Sequence, residues 1–446
     1  MSVTEAARRI RAGELTPREA VESYLERIEE LNGAVNAYIS VRGEEALAEA
    51  EAAPDGPLHG VPVAIKDVID VAGVPTTAAS KILAGNVAAR DATCVARLKS
   101  AGAIVFGKLN THEFAFGAQT TSPHFGPAHN PWALDRICGG SSGGSGAAAA
   151  ADLAAGTLGT DTAGSIRIPS CYCGVTGLRP TTGLVPTDGV VPVSWSLDTI
   201  GPIARTAEDC ALLLSVLAGE PVEFAESVQG LRIGVVDELF RLSEPAVAET
   251  VSAALDELRG LGASVEPVEV PLLEESGTIN QLLMLPEASE AHLPWLRMRL
   301  ADYGDDVRAR LLAGLFLPAT AHVTGLRARR WFRHGLSELF ERVDVLAHPE
   351  MPVVPPPIAD TDVELHGERV PHRLRVIPFN SPWSLAGLPV VSVPAGFVEG
   401  LPVGLALAGR PRAEQTILGA AHAFQRVTDW HERRPPVGAR ASSPAV

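Results

Sequence analysis

Cysteine is scarce: the 446 residues hold five, at 94, 138, 171, 173 and 210. An odd number spread over a long chain makes a poor disulfide framework. Cys171 and Cys173 stand one residue apart, which suits neither a CxxC redox pair nor paired zinc ligands, so small buried thiols are expected. Aromatic residues are only 5% of the chain, which gives no sign of a large aryl-binding pocket. No run of 18 apolar residues occurs, so no membrane-spanning helix is expected. The first residues, MSVTEAARRIRAGELT, lack the apolar stretch of a signal peptide, and a cytoplasmic setting is inferred. Positive charge is also in deficit. Lys and Arg number 37 against 53 Asp and Glu, a net charge of −16. That balance excludes a dominant nucleic-acid-binding face and disfavours anionic membrane surfaces. The twelve histidines show neither HExxH nor paired ligand spacing, so no metal site is expected.

What is present is ample core material. Hydrophobic residues make up 46% and charged residues 20%, an ordinary globular mix. At ~150 residues per domain the length allows up to three domains. The chain shows no repeat and no clear boundary, however, so one domain spanning 1–446 is expected. In the first segment Ala6, Ile10, Ala20, Val21, Tyr24, Leu25 and Ile28 recur at helical steps, and Thr16-Pro17 reads as a helix cap and first turn. Val61 to Ile65 is a short apolar run bounded by turn residues and predicts a buried strand. A helix over 92–100 and a strand over 103–106 follow. Further strands are predicted over 231–236, 390–393 and 403–407, with helices over 246–261 and 412–426. Helices alternating with short buried strands predict an α/β fold: a mixed central β-sheet sandwiched by α-helices. The stretch at about 270–375, rich in Arg, Leu and Glu, reads as a variable helical elaboration on that sheet. Residues 433–446 read as a frayed polar tail.

The densest chemical signal lies at 139–146, Gly-Gly-Ser-Ser-Gly-Gly-Ser-Gly. A phosphate-binding loop would continue with Lys and Ser or Thr, but Ala147 follows. Gly140-x-Ser142-x-Gly144 satisfies the nucleophile-elbow pattern, which must follow a buried strand. The preceding residues, 130–138, contain Pro and charges and make a poor one. A third reading joins this block to Gly159–Ser170 and to Val61–Asp67. A serine after a glycine-bearing turn can expose its hydroxyl beside free backbone N–H groups, which an oxyanion needs. A lysine closing a buried apolar strand, Lys66, is a candidate base, because burial disfavours its charged form. Moving its pKa from ~10.4 to ~7.5 requires roughly 4 kcal/mol of destabilisation of the ammonium.

Together these segments resemble the amidase signature family over nearly the whole chain. The resemblance runs through HGVPVAIKDVIDVAG (59–73), GKLNTHEFAFG (107–117), NPW (130–132), the Gly/Ser block, GVTGLRPTTG (174–183) and SLDTIGPIARTAED (196–209). It continues through GLPVVSVPAGF (387–397), GLPVGLALAGRP (400–411) and TDWHERRPP (428–436). It implies Ser165 as nucleophile, Ser141 as a bridging serine held by a cis peptide bond, and Lys66 as base. The two serines are 165 − 141 = 24 residues apart, the family spacing. It also implies an oxyanion hole from the N–H groups of Thr162, Ala163, Gly164 and Ser165. The implied reaction is hydrolysis of a small-molecule amide through a serine acyl-enzyme, with no cofactor. Two further activities of such relatives stay open. One is a glutamine-hydrolysing component of an amidotransferase that works with partner chains, and the other is a biosynthetic acyl transferase. A homodimer is common among relatives.

Two departures from the family stand out. Ala163 occupies a position that often holds Gly, and its N–H remains available. His348 and Glu350 stand where relatives often carry hydroxyls, and these two are candidate pocket residues. His124, Phe125 and Trp195 are further candidates for substrate contact. Ser142 and Ser145 read as turn or helix-start residues, and Asp161 and Arg167 as structural hydrogen-bonding partners.

Overall fold

The computed structural model describes residues 1–225, 227–360 and 362–437. Its centre is an eleven-stranded sheet. In chain order the strands are β1 (Tyr38–Val41), β2 (Pro62–Lys66), β3 (Ile104–Leu109), β4 (Gly156–Asp161), β5 (Thr176–Arg179) and β6 (Thr199–Ala204). They continue with β7 (Arg232–Val236), β8 (Ser264–Val268), β9 (Val345–Pro349), β10 (Val390–Val398) and β11 (Leu401–Gly409). Their order across the sheet is β1-β3-β2-β4-β6-β5-β10-β11-β9-β7-β8. β2 runs parallel to both neighbours, with Val63 opposite Val105 and Gly156, whereas β6 is antiparallel to β4. The sheet is therefore mixed, as the alternation of elements predicts, and helices flank it. Those that pack on it include Gly143–Ala150, Arg167–Cys173, Ala207–Ala218 and Pro245–Gly260.

The central strands are buried on both faces, so they read as continuous apolar runs rather than alternating ones. Every residue of β2, β4 and β11 is buried. Local signals hold where they are strong. The helix Pro17–Val35 carries a capping box, with the Thr16 side chain accepting from the Glu19 N–H while the Glu19 carboxylate accepts from the Thr16 N–H. The strand expected over 61–65 closes on Lys66 itself, and the one expected over 103–106 runs on to Leu109.

Three expectations differ from the structure. Residues Ala133–Ile137 do form a strand, but in a two-stranded hairpin with His129–Asn130 outside the main sheet, with Leu134 and Asp135 exposed. The stretch 270–375 is not helical throughout, since it contributes β9, paired between β11 and β7. The first residues of the expected tail are held: the Arg433 guanidinium lies 4.2 Å from the Trp430 ring centre, and Arg434 Nε is 2.7 Å from Asp152. The rest of that tail, 438–446, lies outside the described residues. All five cysteines are buried and free. Among the described residues no single helix is long and apolar enough to cross a membrane.

Candidate active site

Parallel pairing of β2 between β3 and β4 brings three distant segments to one edge of the sheet. Lys66 ends β2 and is fully buried. Its Nζ lies 2.7 Å from Ser141 Oγ and 2.7 Å from Thr160 Oγ1 on β4. Lys108 on β3 is buried as well, but its Nζ pairs with Asp67 at 2.9 Å. Lys66 has no carboxylate in salt-bridge contact among the described residues. Burial pushes its pKa down to about 7, and Asp161 and Asp198, the next largest influences, pull the other way. One buried lysine is thus ion-paired, while burial disfavours the charged form of its neighbour.

Ser141 follows a cis peptide bond from Gly140. Its carbonyl oxygen accepts from the His112 N–H at 3.1 Å and from the Thr111 and Thr120 hydroxyls at 2.9 and 3.1 Å. The helix Gly143–Ala150 begins directly afterwards, with Ser142 at its cap. Glycine at 144 is required by close approach, since a Cβ there would sit 2.5 Å from the Asn110 carbonyl oxygen. Ser142 Oγ donates to the Thr160 carbonyl at 3.2 Å and accepts from its N–H at 3.3 Å, and Ser145 Oγ donates to Leu158 at 3.0 Å. Both serines stitch the helix to β4, in line with a structural role.

Ser165 lies in the turn between β4 and the helix Arg167–Cys173. Asp161, the last residue of β4, organises that turn. Its carboxylate accepts from the Gly164 N–H at 2.8 Å, the Ile166 N–H at 3.2 Å, Arg167 Nε at 3.0 Å and Arg179 Nη1 at 2.9 Å. Burial alone would raise the Asp161 pKa, but the guanidiniums of Arg167 and Arg179 more than offset this and hold it well below the usual carboxylate range. Replacing Asp161 by Asn would leave two buried guanidiniums short of a counter-charge. We expect a loss of about 3–5 kcal/mol, read as a lowered urea midpoint. A midpoint equal to that of the parent chain would remove Asp161 from this role.

The hydrogen bond from Gly164 changes the expected oxyanion hole, because that N–H already has an acceptor. The N–H groups of Thr162, Ala163 and Ser165 make no hydrogen bond among the described residues and remain available. Gly164 itself has φ +119°, and a Cβ there would meet Asn380 Oδ1 at 2.4 Å, so only glycine fits. Ala163 is not among the positive-φ residues, so its side chain costs no strain. The Thr162 hydroxyl donates to Asp198 at 2.5 Å, and Asp198 also accepts from the Val193 and Ser194 N–H groups at 2.9 and 3.0 Å. The Ser165 hydroxyl has no partner among the described residues. No hydrogen bond joins it to Ser141, although the Ser142 N–H donates to the Ser165 carbonyl at 3.2 Å.

Ser165, Thr162, Ala163 and Gly140 line one small cavity, partly open to solvent. Its walls come from Phe116, from Gln281 and Met284, from Arg310, and from Arg373 to Ser381. None of the five residues expected at the pocket lines it. His124 sits 3.3 Å from buried Glu113, and the Phe125 carbonyl accepts from Asn36. Trp195 is 70% exposed and borders a different groove with Arg329 and Arg333. His348 and Glu350 are fully buried at the end of β9. His348 stacks on Trp383 with ring centres 5.0 Å apart, and burial pushes its pKa down to about 3. Burial pushes Glu350 up to about 8, so that carboxyl is neutral at pH 7. Sequence reasoning missed Arg310 and Arg373. Asp306 and Arg310 stand four apart on a charged helix, a pattern that reads as a solvated face and gave no signal. Among the described residues no group of three or more His, Cys, Asp or Glu could hold a metal ion.

A family model described as Amidase matches residues 19–418. A glutamyl-tRNA(Gln) amidotransferase subunit from Roseiflexus sp. (strain RS-1) is 40% identical over 98% of both chains. Among solved structures, one described as an amidase superposes with TM-score 0.91 at 34% identity, covering 96% of this chain and 99% of that one. A glutamyl-tRNA(Gln) amidotransferase subunit from Thermotoga maritima does so with TM-score 0.83 at 34% identity, covering 99% and 98%.

Proposed function

This chain belongs to the amidase family, and on that premise we propose that it cleaves an amide through an acyl-enzyme on Ser165, with Ser141 and Lys66 as its proton relay. Hydrolysis of a carbon–nitrogen bond is the reaction class of the family. The observation that carries the finer reading is Lys66: fully buried, without a carboxylate partner among the described residues, and 2.7 Å from Ser141 Oγ.

Neutral Lys66 accepts the Ser141 proton while one of its N–H bonds turns to Thr160. Ser141 takes the proton of Ser165, whose Oγ attacks the amide carbonyl carbon. The developing oxyanion is stabilised by the N–H groups of Thr162, Ala163 and Ser165. Collapse expels the amine, which takes its proton back through Ser141. Water then attacks the ester, with the relay again removing a proton, and the acid leaves. Hand-over between the two hydroxyls requires them to close to hydrogen-bond distance when substrate seats, as catalytic contacts often do only in the complex.

A fluorophosphonate probe tests this directly. Mass spectrometry should place the covalent adduct on Ser165 and find none in Ser165→Ala. Ser142 is the alternative nucleophile that the Gly-x-Ser-x-Gly pattern suggests. Because its hydroxyl is committed to Thr160, Ser142→Ala should keep kcat within about tenfold of the parent and lose about 1 kcal/mol of stability. A dead Ser142→Ala variant, or an adduct on Ser142, would hand the role to that residue.

A second reading is favoured by the relatives at 37–40% identity over nearly their full length, which are named as glutamyl-tRNA(Gln) amidotransferase subunits. On that reading the same site hydrolyses glutamine, partner chains receive the ammonia, and the purified chain gains glutaminase activity when those chains are added.

A further inference from the structure

The cavity above Ser165 has an uneven charge. Arg310 and Arg373 both line it, and no acidic side chain does among the described residues. Arg310 is not a free surface cation. Its side chain is only 13% exposed, and its guanidinium carbon lies 4.5 Å from the centre of the Phe116 ring. Its Nε donates to the Asp306 carbonyl oxygen and its Nη2 to the Asp306 carboxylate, so two of its three nitrogens hold it in place. Nη1 has no partner among the described residues. Arg373 is exposed and likewise has neither hydrogen bond nor ion pair there.

Two guanidiniums on one small cavity repel each other unless an anion lies between or beside them. Arg310 feels this: burial lowers its pKa, Asp306 raises it, and Arg373 lowers it further. The nearby carboxylates are already engaged. Asp306 serves Arg310 and lies 3.4 Å from His112, while Glu113 accepts from the Ser80 hydroxyl and the Gly304 N–H. Met284, Val376 and Ile377 give the cavity an apolar stretch, and its uncharged polar side chains include Gln281 and Ser381. Such a surface suits a short hydrocarbon spacer and offers an ammonium group no carboxylate among the described residues.

We propose that the substrate is a small amide bearing a carboxylate and no neighbouring ammonium group, its carboxylate bound by Arg310 and Arg373 while its amide carbonyl sits at Ser165. This rests on the reading of Ser165 as the reacting residue and sharpens it. A free amino acid amide such as glutamine would carry a positive charge into a pocket that already holds two.

Three probes of equal chain length separate the contributions: glutaramate carries the carboxylate alone, pentanamide carries neither charge, and glutamine adds the ammonium. Calorimetric titration into the Ser165→Ala chain reads binding without chemistry. Glutaramate should bind about tenfold or more tightly than either other probe, because only it satisfies both guanidiniums without a repelled charge. Arg373→Gln should weaken glutaramate about tenfold, and Arg373→Glu should turn the preference towards 5-aminopentanamide. Because Arg373 is exposed, these variants should fold even if substitution of the packed Arg310 does not. Equal binding of pentanamide, glutamine as tight as glutaramate, or no binding of any probe would each overturn the proposal. Tight glutaramate binding without any adduct on Ser165 of the parent chain would instead sink the acyl-enzyme and leave the anionic pocket standing.

Discussion

Ser165→Ala is expected to lower kcat/KM on a hydrolysed amide by at least about 10⁴-fold, with little change in KM. The size follows from what the substitution removes and what it spares. The bond-forming oxygen is gone, so no ester can form and the relay from Lys66 through Ser141 has nothing to activate. The N–H groups of Thr162, Ala163 and Ser165 remain, since the turn is held by the Asp161 carboxylate through Gly164 and Ile166 rather than by the Ser165 hydroxyl. Residual rate above background therefore reports polarisation of the carbonyl alone. Initial rates with mass detection of product measure both parameters. A variant that keeps a tenth of the parent rate would show that Ser165 is not the nucleophile, whatever its neighbours do.

The second large effect belongs to Lys66. The base must be neutral to accept a proton, so kcat/KM should rise with pH through an apparent pKa of about 7 and level off above it. The sign follows from burial, which penalises the ammonium and leaves the amine unaffected. Displacement from 10.5 to about 7 corresponds to on the order of 5 kcal/mol against the charged form. Lys66→Ala should cost about 10³-fold or more at every pH, because it removes the acceptor for Ser141. Lys66→Arg keeps the length but stays protonated, so it should be inactive across the range and show no rising limb. A parent profile rising only near pH 10, or a Lys66→Ala variant with near-parent rate, would take the lysine out of the reaction. Lys108 supplies an internal control. It is equally buried but paired with Asp67, so its substitution should lower stability without moving the pH profile.

The structural supports around the candidate site were legible where their signals are local. Lys66 closes an apolar run short enough to be a central strand, and a charge there must be paired or lost. The Gly/Ser block could be read as a turn into a helix, and Ser142, Ser145, Asp161 and Arg167 as its structural supports, because their partners lie on the adjoining strand or within the same turn. The pocket wall was not legible. Arg310, on a helix of the 270–375 stretch, looks like the solvated half of an i,i+4 pair with Asp306. Trp195 is an aromatic residue near a family motif, yet its side chain leaves the cavity and stands 70% exposed beside another groove. His348 and Glu350 are polar residues expected at the pocket, but both are buried in the core at the end of β9, where burial pushes the His348 pKa down to about 3 and the Glu350 pKa up to about 8.

Composition and the spacing of apolar residues were enough to expect an α/β chain with a buried lysine, and the resemblance to the amidase signature family singled out Ser141 and Ser165. Those features depend on backbone conformation and solvation within a few residues, and a linear string encodes both. Which cations face the cavity was decided only when the eleven strands and their helices assembled. Arg310 and Arg373 come to line the same cavity as Ser165 through contacts between segments tens to hundreds of residues apart. Such contacts depend on the packing of the whole sheet and its helices, which no local pattern specifies.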